Sequence, residues 1–178
     1  VAAAREVARR AGGLAAEFRH GNYLEADLGG PHDAAILIFE DYCALSPAQR
    51  ATLLARTATA LSPGAGFVFD VTAAPRFDPV ESRVEDDDLM DGFWAEPPDR
   101  GVHERWTYPD LPLVLDRYMI TDATAQRRFY NWMQCLTPSQ VTGELESADL
   151  VVEELVGDVA GAPFNPSSPT FAVVARRR

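Results

Sequence analysis

The chain has 178 residues, a formal net charge of −11 and no basic stripe along a predicted element. This length is typical of one domain with a buried core, and the missing basic stripe argues against nonspecific binding to nucleic acid. No apolar run is long enough to suggest a membrane span. The two cysteines, Cys43 and Cys135, match neither a metal nor a redox spacing, so we expect free thiols and a cytoplasmic protein.

The N-terminal region predicts one helix and one short strand. Residues 1–11 place small apolar side chains on one helical face, with Arg9 and Arg10 in the last turn, where positive charge suits the helix dipole. A pair of glycines follows, as is typical of a helix C-terminus. Residues 16–20 are predicted to form a short strand that leads into a loop.

The segment from residue 32 to residue 71 predicts a strand, a helix and a second strand. Residues 34–39 are continuously apolar, which is typical of a strand covered on both faces. Ser46 and Gln49 form a capping box, and Pro47 suits the first helical position. A unit of this length makes a right-handed parallel crossover. Its loop at residues 40–42 therefore leaves the carboxyl end of a strand, where open α/β sheets bind ligands.

Residues 72–134 follow a different pattern, rich in proline and in alternating strands. An acidic run at residues 85–88 predicts a solvated loop, because it lacks the spacing of a calcium-binding loop. The predicted antiparallel strands are residues 102–108, 113–121 and 127–134, with a turn at residues 122–126.

The C-terminal region predicts one helix and two further strands. Thr137 and Gln140 repeat the capping-box pattern and begin a helix that reaches about residue 148. Residues 151–156 and 170–175 are predicted strands, joined by a connection rich in glycine, proline and serine.

The sequence LSPGAGFVFDV and the elements around it resemble the second half of class I S-adenosylmethionine-dependent methyltransferases. There the helix commonly ends in Leu-x-Pro-Gly-Gly before the fifth strand, whereas here one glycine is displaced, which gives Pro63-Gly-Ala-Gly66. Residues 151–156 and 170–175 resemble the sixth and seventh strands, so the resemblance covers most of the chain. It implies an α/β fold with a partial Rossmann-like sheet, mostly parallel, whose last strand is antiparallel. It also implies a single domain at 1–178, in which residues 72–134 are an antiparallel β insert that covers the substrate.

One part of the family pattern is missing from the sequence. No glycine-rich turn follows a strand, and residues 1–11 resemble the helix after the second strand. We therefore expect an N-terminally incomplete domain that lacks the first two strands. The expected sheet has four strands, residues 33–40, 66–71, 150–156 and 170–176. The last should lie between the second and third, with a gap beside the first, while residues 16–20 should be detached or paired elsewhere.

The resemblance implies S-adenosylmethionine-dependent methyl transfer to nitrogen or oxygen of a small-molecule acceptor. This activity is expected of the intact parent and is expected to be impaired in the 178 residues alone. One alternative is a non-catalytic binding or interaction module with the same fold. A second is a nicotinamide-dependent oxidoreductase, but Gly64 and Gly66 follow a helix and precede a strand, which reverses the order of a dinucleotide fingerprint.

The resemblance also assigns cofactor-binding and catalytic residues. Asn22 and Tyr23 fall where the family contacts adenine, and the amide oxygen of Asn22 can accept from an exocyclic amine; the alternative is that Asn22 only forms a turn. Phe39 and Glu40 lie in the loop that lines the donor. Glu40 and Asp41 are the candidate catalytic carboxylates, which would stabilise positive charge or accept a proton; an exposed acidic turn is the alternative.

Substrate contacts are expected from aromatic residues of the insert and from the loop. Tyr130, Trp132 and Gln134 alternate along one strand and so share one face. Together with Tyr42 and Trp94 they could enclose a methyl acceptor or a sulfonium through cation–π contact. Ordinary core packing is the alternative for these aromatic side chains.

No metal site is expected. His20, His32 and His103 show no ligand spacing to one another. An acid–base role for His103, which lies in the insert, stays an alternative.

Overall fold

The computed structural model describes residues 2–10, 16–86 and 100–178. The helices are α1 Ala2–Arg10, α2 Asp41–Ala44, α3 Pro47–Ala60 and α4 Pro138–Glu146, with a 3-10 turn at Ala74–Arg76. The strands are β1 His32–Leu37, β2 Leu61–Thr72, β3 Ser82–Asp86, β4 Arg100–Tyr108, β5 Leu113–Thr121, β6 Gln126–Gln134, β7 Leu150–Val156 and β8 Thr170–Arg177.

The first sheet has the strand order β1-β2-β8-β7. β1 and β2 are parallel, and β8 is antiparallel to both of its neighbours, β2 and β7. The predicted four-strand sheet, with its last strand between the second and third, is thereby confirmed. β2 begins at Leu61, earlier than predicted, because Leu61 pairs with His32; the register then shifts, and regular pairing with β1 resumes at Gly66.

The two longer helices of the middle and C-terminal regions begin where their capping boxes predict. The Ser46 hydroxyl accepts from the Gln49 amide at 3.3 Å, and the Gln49 side chain accepts from the Ser46 amide at 2.9 Å. Thr137 and Gln140 repeat this reciprocal arrangement at α4. Each box satisfies two of the N–H groups that a helix start leaves without an internal partner.

The hydrophobic core lies between the first sheet and the helices α3 and α4. In β2 alternate residues are buried, which sends Phe67, Phe69 and Val71 to the same face. Burial of this face is the main force that holds the helices on the sheet. The core cluster also includes Leu53, Leu54, Ala58, Val141, Leu145, Leu150, Phe171, Val173 and Ala175.

β1 is an edge strand within the described part of the chain, where it pairs only with β2. Ala35 and Leu37 pack against the core, but Ile36 is 71% exposed. The expected cover on both faces is therefore wrong for the described residues, since only one face is packed. The gap expected beside this strand is confirmed.

The predicted strand at residues 16–20 is wrong, because the segment is irregular. A strand needs a partner whose N–H and C=O groups pair with its own. No described strand pairs with these residues.

The second sheet is antiparallel throughout, in the order β3-β4-β5-β6. Three of its strands match the predicted ones to within two residues. β3 was not predicted, and it contains Glu85 and Asp86, so half of the expected acidic loop is strand. Glu85 is paired with Arg100 at 2.7 Å and with Arg83 at 2.6 Å, which offsets charge in this exposed strand.

The two sheets meet at the ends of β2 and β6. The Leu136 amide donates to the Thr72 carbonyl at 2.9 Å, and the Ala74 amide donates to the Leu136 carbonyl at 3.0 Å. This junction fixes one end of the second sheet beside the carboxyl ends of β1 and β2. Ligand sites in open α/β sheets lie at such an edge.

Candidate functional site

A tight turn follows β1 at the carboxyl end of the first sheet. Phe39 and Glu40 have φ angles of 75° and 58°, a left-handed conformation that is uncommon for residues with a side chain. Their amides donate to the two carboxylate oxygens of Asp70 at 3.1 and 2.8 Å. Hydrogen bonds to a carboxylate are among the stronger ones. They therefore hold this turn against β2.

The two candidate catalytic carboxylates lie in different surroundings. Glu40 accepts from the Thr72 hydroxyl at 2.5 Å and from Arg76 Nη1 at 2.8 Å, so its charge is already paired. Asp41 has no hydrogen-bond partner among the described residues. Partial burial, and then the charge of Asp70, raise the pKa of Asp41 above its ordinary value. Glu40 therefore holds the turn in place, whereas the Asp41 carboxylate keeps both oxygens without a described partner.

Tyr42 belongs to a buried network centred on Arg50, which we call the Arg50 network. Arg50 is 1% exposed; it donates to Glu144 from Nε and Nη2 at 2.8 Å each, and from Nη1 to the Leu45 carbonyl and to Gln134 at 2.8 and 2.9 Å. Tyr42 donates its hydroxyl to Glu144, and burial, together with that bond, raises the pKa of Tyr42. The ion pair with Glu144 offsets the cost of burying the charge of Arg50. The network joins α2, α3, α4 and β6.

β6 separates two cavities, because its successive side chains point to opposite faces. The first, which we call the polar cavity, has a volume of about 120 Å³. Its lining consists of Thr72, Arg76, Asp78, Arg105, Val114, Asp116, Asn131, Met133 and Cys135. The second, the apolar cavity, has a volume of about 480 Å³. Its lining consists of Cys43, Ala44, Leu45, Ser46, Pro47, Gln49, Leu111, Leu113, Trp132 and Gln134.

The polar cavity has a charged wall built across β4 and β5. Asp116 is 5% exposed and accepts from Arg105 Nε at 2.9 Å and Nη2 at 3.2 Å. His103 Nε2 lies 2.6 Å from the same carboxylate, and the His103 ring stacks on Tyr118 with centroids 4.5 Å apart. The bond to Asp116 raises the pKa of Arg105. Arg76 completes the wall and donates to Glu40, so it links this cavity to the turn after β1.

The polar groups of the apolar cavity are mostly bonded within the protein. Gln134 accepts from Arg50 and donates from Nε2 to the Leu111 carbonyl at 3.1 Å. The Cys43 sulfur accepts from the Thr72 amide at 3.1 Å, and burial raises the pKa of Cys43 to about 12. Few polar groups therefore remain in this cavity for a ligand.

The structure brings only some of the expected substrate contacts together. Trp132, which is 42% exposed, and Gln134 line the apolar cavity, and Tyr42 joins them only through the Arg50 network. Tyr130 shares their sheet face but is 56% exposed and lines neither cavity. Trp94 lies outside the described residues.

Asn22 and Tyr23, the two expected adenine contacts, differ in their hydrogen bonding and burial. The amide oxygen of Asn22 accepts from the Leu24 amide at 3.0 Å, and the Asn22 carbonyl accepts from the amides of Glu25 and Ala26. Asn22 therefore does form the turn that was its alternative. Tyr23 packs against the core cluster, and burial, and then the charge of Asp41, raise the pKa of Tyr23.

The sequence did not single out Arg50, Arg105 or Asp116. An arginine within an amphipathic helix is usually a surface residue, so Arg50 gave no signal. Arg105 and Asp116 are opposite one another in the β4–β5 register. That pairing follows from the predicted strand ends around residues 109–112, and it could have identified this pair.

Two further classes of site find no support in the described ranges. No group of three or more His, Cys, Asp or Glu residues there could hold a metal ion. No helix found there is both long enough and apolar enough to cross a membrane.

Several solved structures with a similar architecture are methyltransferases, although the sequences are distant. The CcbJ methyltransferase from Streptomyces caelestis is 17% identical, with a TM-score of 0.67, over 89% of this chain and 66% of that chain. An S-adenosylmethionine-dependent methyltransferase from Clostridium acetobutylicum is 12% identical, with a TM-score of 0.69, over 99% of this chain and 70% of that chain. CalS10, an amino pentose methyltransferase from Micromonospora echinaspora, is 18% identical, with a TM-score of 0.57, over 100% of this chain and 71% of that chain.

These likenesses define the class of fold. The chain has the mixed α/β fold of the class I S-adenosylmethionine-dependent methyltransferases, as its sequence predicted. It spans about two thirds of the length of the structures that it matches. A comparison with protein-family models and with curated proteins gives no match.

Proposed function

We propose that this chain serves the transfer of a methyl group from S-adenosylmethionine to the nitrogen or oxygen of a small-molecule acceptor. The observation that carries the proposal is the turn at Phe39–Asp41, held by Asp70 at the carboxyl end of β1 and joined through Arg76 to the polar cavity. The name of CalS10, an amino pentose methyltransferase, supports a small acceptor with an amine.

The donor side of the proposed site is the turn after β1. Phe39 is 86% exposed there and offers an apolar surface, while Glu40 keeps the turn in place through Thr72 and Arg76. Tyr23 and Asn22 are proposed to border the adenine. The amide oxygen of Asn22 is already used in its turn. Its contribution would therefore come from the side-chain amide N–H groups, which have no acceptor in the described part of the chain.

The proposed reaction needs alignment more than covalent help from the protein. The donor supplies an activated methyl group on a sulfonium sulfur. The acceptor lone pair forms the new bond to carbon as the sulfur–carbon bond breaks, which leaves S-adenosylhomocysteine. The acceptor must also lose one proton, and Asp41 is the proposed proton acceptor. In-line positioning and removal of water supply most of the rate in such a transfer.

The acceptor side is proposed to lie where the second sheet meets the turn. Residues 72–134 are the proposed substrate-covering insert, and Trp132 and Gln134 border its apolar cavity. Tyr42 would act indirectly, by fixing that cavity through the Arg50 network. Tyr130 of β6 stays a proposed acceptor contact, and so does Trp94, which lies outside the described residues.

Donor affinity of the 178 residues is expected to be low. In the family that the sequence resembles, a glycine-rich turn holds the amino-acid end of the donor, and no such turn lies between a strand and a helix here. Each missing hydrogen bond removes about 0.5–1.5 kcal/mol, and more where charge is involved. Several together weaken binding by orders of magnitude, so we expect a dissociation constant well above the micromolar range.

The test is a titration of the ¹⁵N-labelled chain with S-adenosylhomocysteine, followed through its backbone amide shifts. We expect saturable shifts at residues 22–23 and 38–42. Glu40→Gln and Asp41→Asn keep shape but remove charge; Glu40→Gln should disturb the turn, whereas Asp41→Asn should leave donor binding nearly unchanged. Micromolar affinity by calorimetry would contradict the expected impairment.

A parallel titration with NADH separates the alternatives. Shifts of the same amides with NADH alone would favour an oxidoreductase. No shift with either compound would favour a non-catalytic module.

A further inference from the structure

We propose that the acceptor is a small zwitterion, with an amine and a carboxylate, and that the polar cavity binds it. The carboxylate is held by Arg76 and Arg105, and the amine faces Asp78. The proposal rests on the proposed function, since it names the substrate class of that site.

The two arginines have hydrogen-bond donors to spare. Arg76 donates to Glu40 from Nη1 only, and Arg105 donates to Asp116 from Nε and Nη2 only. A guanidinium carries five N–H groups. Within the part of the chain that the structure describes, Nε and Nη2 of Arg76 and Nη1 of Arg105 have no protein acceptor. The cavity therefore presents N–H groups from two sides, an arrangement that suits a planar carboxylate.

The same cavity also has an acceptor to spare. Asp78 accepts from the Val80 amide through Oδ1 at 3.1 Å, and its Oδ2 has no partner among the described residues. The Asn131 side chain lines the cavity and likewise has no described partner. Free donors and a free carboxylate oxygen in one small cavity match a ligand that carries both signs of charge.

The charge of the wall decides between a zwitterion and a simple anion. Arg76 and Arg105 are each paired, with Glu40 and Asp116, and Asp78 adds a further carboxylate, so the cavity wall carries no excess of positive charge. A phosphate dianion would be repelled by these carboxylates. A zwitterion adds no net charge, and its amine offsets Asp78.

The size of the cavity and the rigidity of its wall restrict the ligand further. A volume of about 120 Å³ admits only a few non-hydrogen atoms. Asp116 is itself fixed by His103, so the Arg105 fork is held in one orientation. His103 is in this sense a positioning residue for Arg105.

The experiment titrates the ¹⁵N-labelled chain, without donor, with glycine, glycinamide, ethylamine and inorganic phosphate. Glycine should shift the amides of Thr72, Arg76 and Asn131 in a saturable manner. Glycinamide and ethylamine lack the carboxylate and should bind at least about tenfold more weakly, because charge-assisted bonds to the arginines are lost.

Variants locate the binding. Arg76→Gln, and the double change Arg105→Gln with Asp116→Asn, which leaves no unpaired buried carboxylate, should each weaken glycine binding about tenfold or more. Arg128→Gln is the matched control, because Arg128 is exposed on β6 and lines neither cavity. The amide spectrum of each variant reports whether it is folded.

Three outcomes would overturn the proposal: glycine and glycinamide that bind alike, phosphate that binds more tightly than glycine, or Arg128→Gln with the same loss as Arg76→Gln. Because no donor is present, these outcomes leave the methyl-transfer proposal standing. Failure of S-adenosylhomocysteine to bind would in turn leave glycine binding intact.

Discussion

The two faces of β6 border two cavities that differ in how far their hydrogen bonds are satisfied. On one face, Gln134 is bonded to Arg50 and to the Leu111 carbonyl. On the other, Asn131 lies among arginines that keep free N–H groups. A buried group whose bonds are complete stabilises the fold. Arginine donors beside an open cavity, with no acceptor among the described residues, stay available to a ligand.

The Arg50 network accordingly acts as a joint between the helices α2, α3 and α4 and strand β6 of the second sheet. A buried ion pair adds little to stability compared with apolar packing, but the loss of one partner is costly because the other charge stays buried. The polar cavity should behave in the opposite way. Loss of a charge there should affect ligand binding more than folding.

The largest expected loss of stability comes from a change in the Arg50 network. Glu144→Gln leaves the buried guanidinium of Arg50 without its carboxylate, and it should lower the free energy of unfolding by about 3 kcal/mol. Urea unfolding measures this change. Glu146→Gln, on the exposed side of α4, is the matched control and should change stability by no more than about 0.5 kcal/mol. Equal effects of the two variants would mean that the network is not a structural joint.

A smaller loss is expected where the two cavities share a wall. Cys43 lines the apolar cavity, and its sulfur accepts from the amide of Thr72, which lines the polar one. Cys43→Ala leaves that buried N–H unpaired and should cost about 2 kcal/mol. Cys43→Ser keeps an acceptor and should recover part of the loss in the same urea experiment. If serine is no better than alanine, the sulfur contributes volume rather than a hydrogen bond.

The elements beside these cavities were predictable where local signals are strong. Capping boxes at Ser46 and Thr137 located two helices, and alternation located β4, β5 and β6. The short helix α2 has only four residues, too few for a periodic pattern. β3 is charged and exposed, so it lacks the apolar alternation that predicts a strand.

The candidate site was predictable only in part, because much of it depends on pairing between strands. Glu40 and Asp41 followed from their place after a strand. Their different surroundings did not, since Arg76 and Asp70 reach them from 36 and 30 residues away in sequence. The polar cavity needs the register of three strands, which no single stretch of sequence encodes.

Trp132→Ala tests the apolar side directly. Because Trp132 is 42% exposed, its loss should cost about 1–2 kcal/mol, less than the 3–5 kcal/mol of a fully buried aromatic residue. If Trp132 contacts the acceptor, the variant should raise the acceptor KM with a smaller effect on donor affinity. Thermal unfolding and steady-state kinetics separate these roles. An acceptor in the polar cavity predicts unchanged glycine binding and an unchanged KM, whereas a loss of glycine binding or a raised KM would move the acceptor site to the apolar cavity.

The smallest expected effect concerns the charge of Asp41 and its dependence on pH. The pKa of Asp41 is raised in the folded chain from its ordinary value of 3.8, through partial burial and the charge of Asp70. The folded state therefore holds this proton more tightly than the unfolded state. Below pH 3.8 the two states are equally protonated; as pH rises through the folded pKa, the folded state loses stability relative to the unfolded one.

Asp41→Asn removes this penalty. The variant and the native chain should have the same free energy of unfolding well below pH 3.8. At higher pH the variant should be more stable, by at most about 0.5 kcal/mol, because the side chain is only partly buried and the repulsion is screened. Urea unfolding at a series of pH values, in low and high salt, measures the difference. A gain that is independent of both pH and salt would have to come from packing. That result would contradict the proposal that Asp41 accepts the proton of the acceptor. Arg76 and Arg105 would then be the remaining charged residues proposed to bind the acceptor.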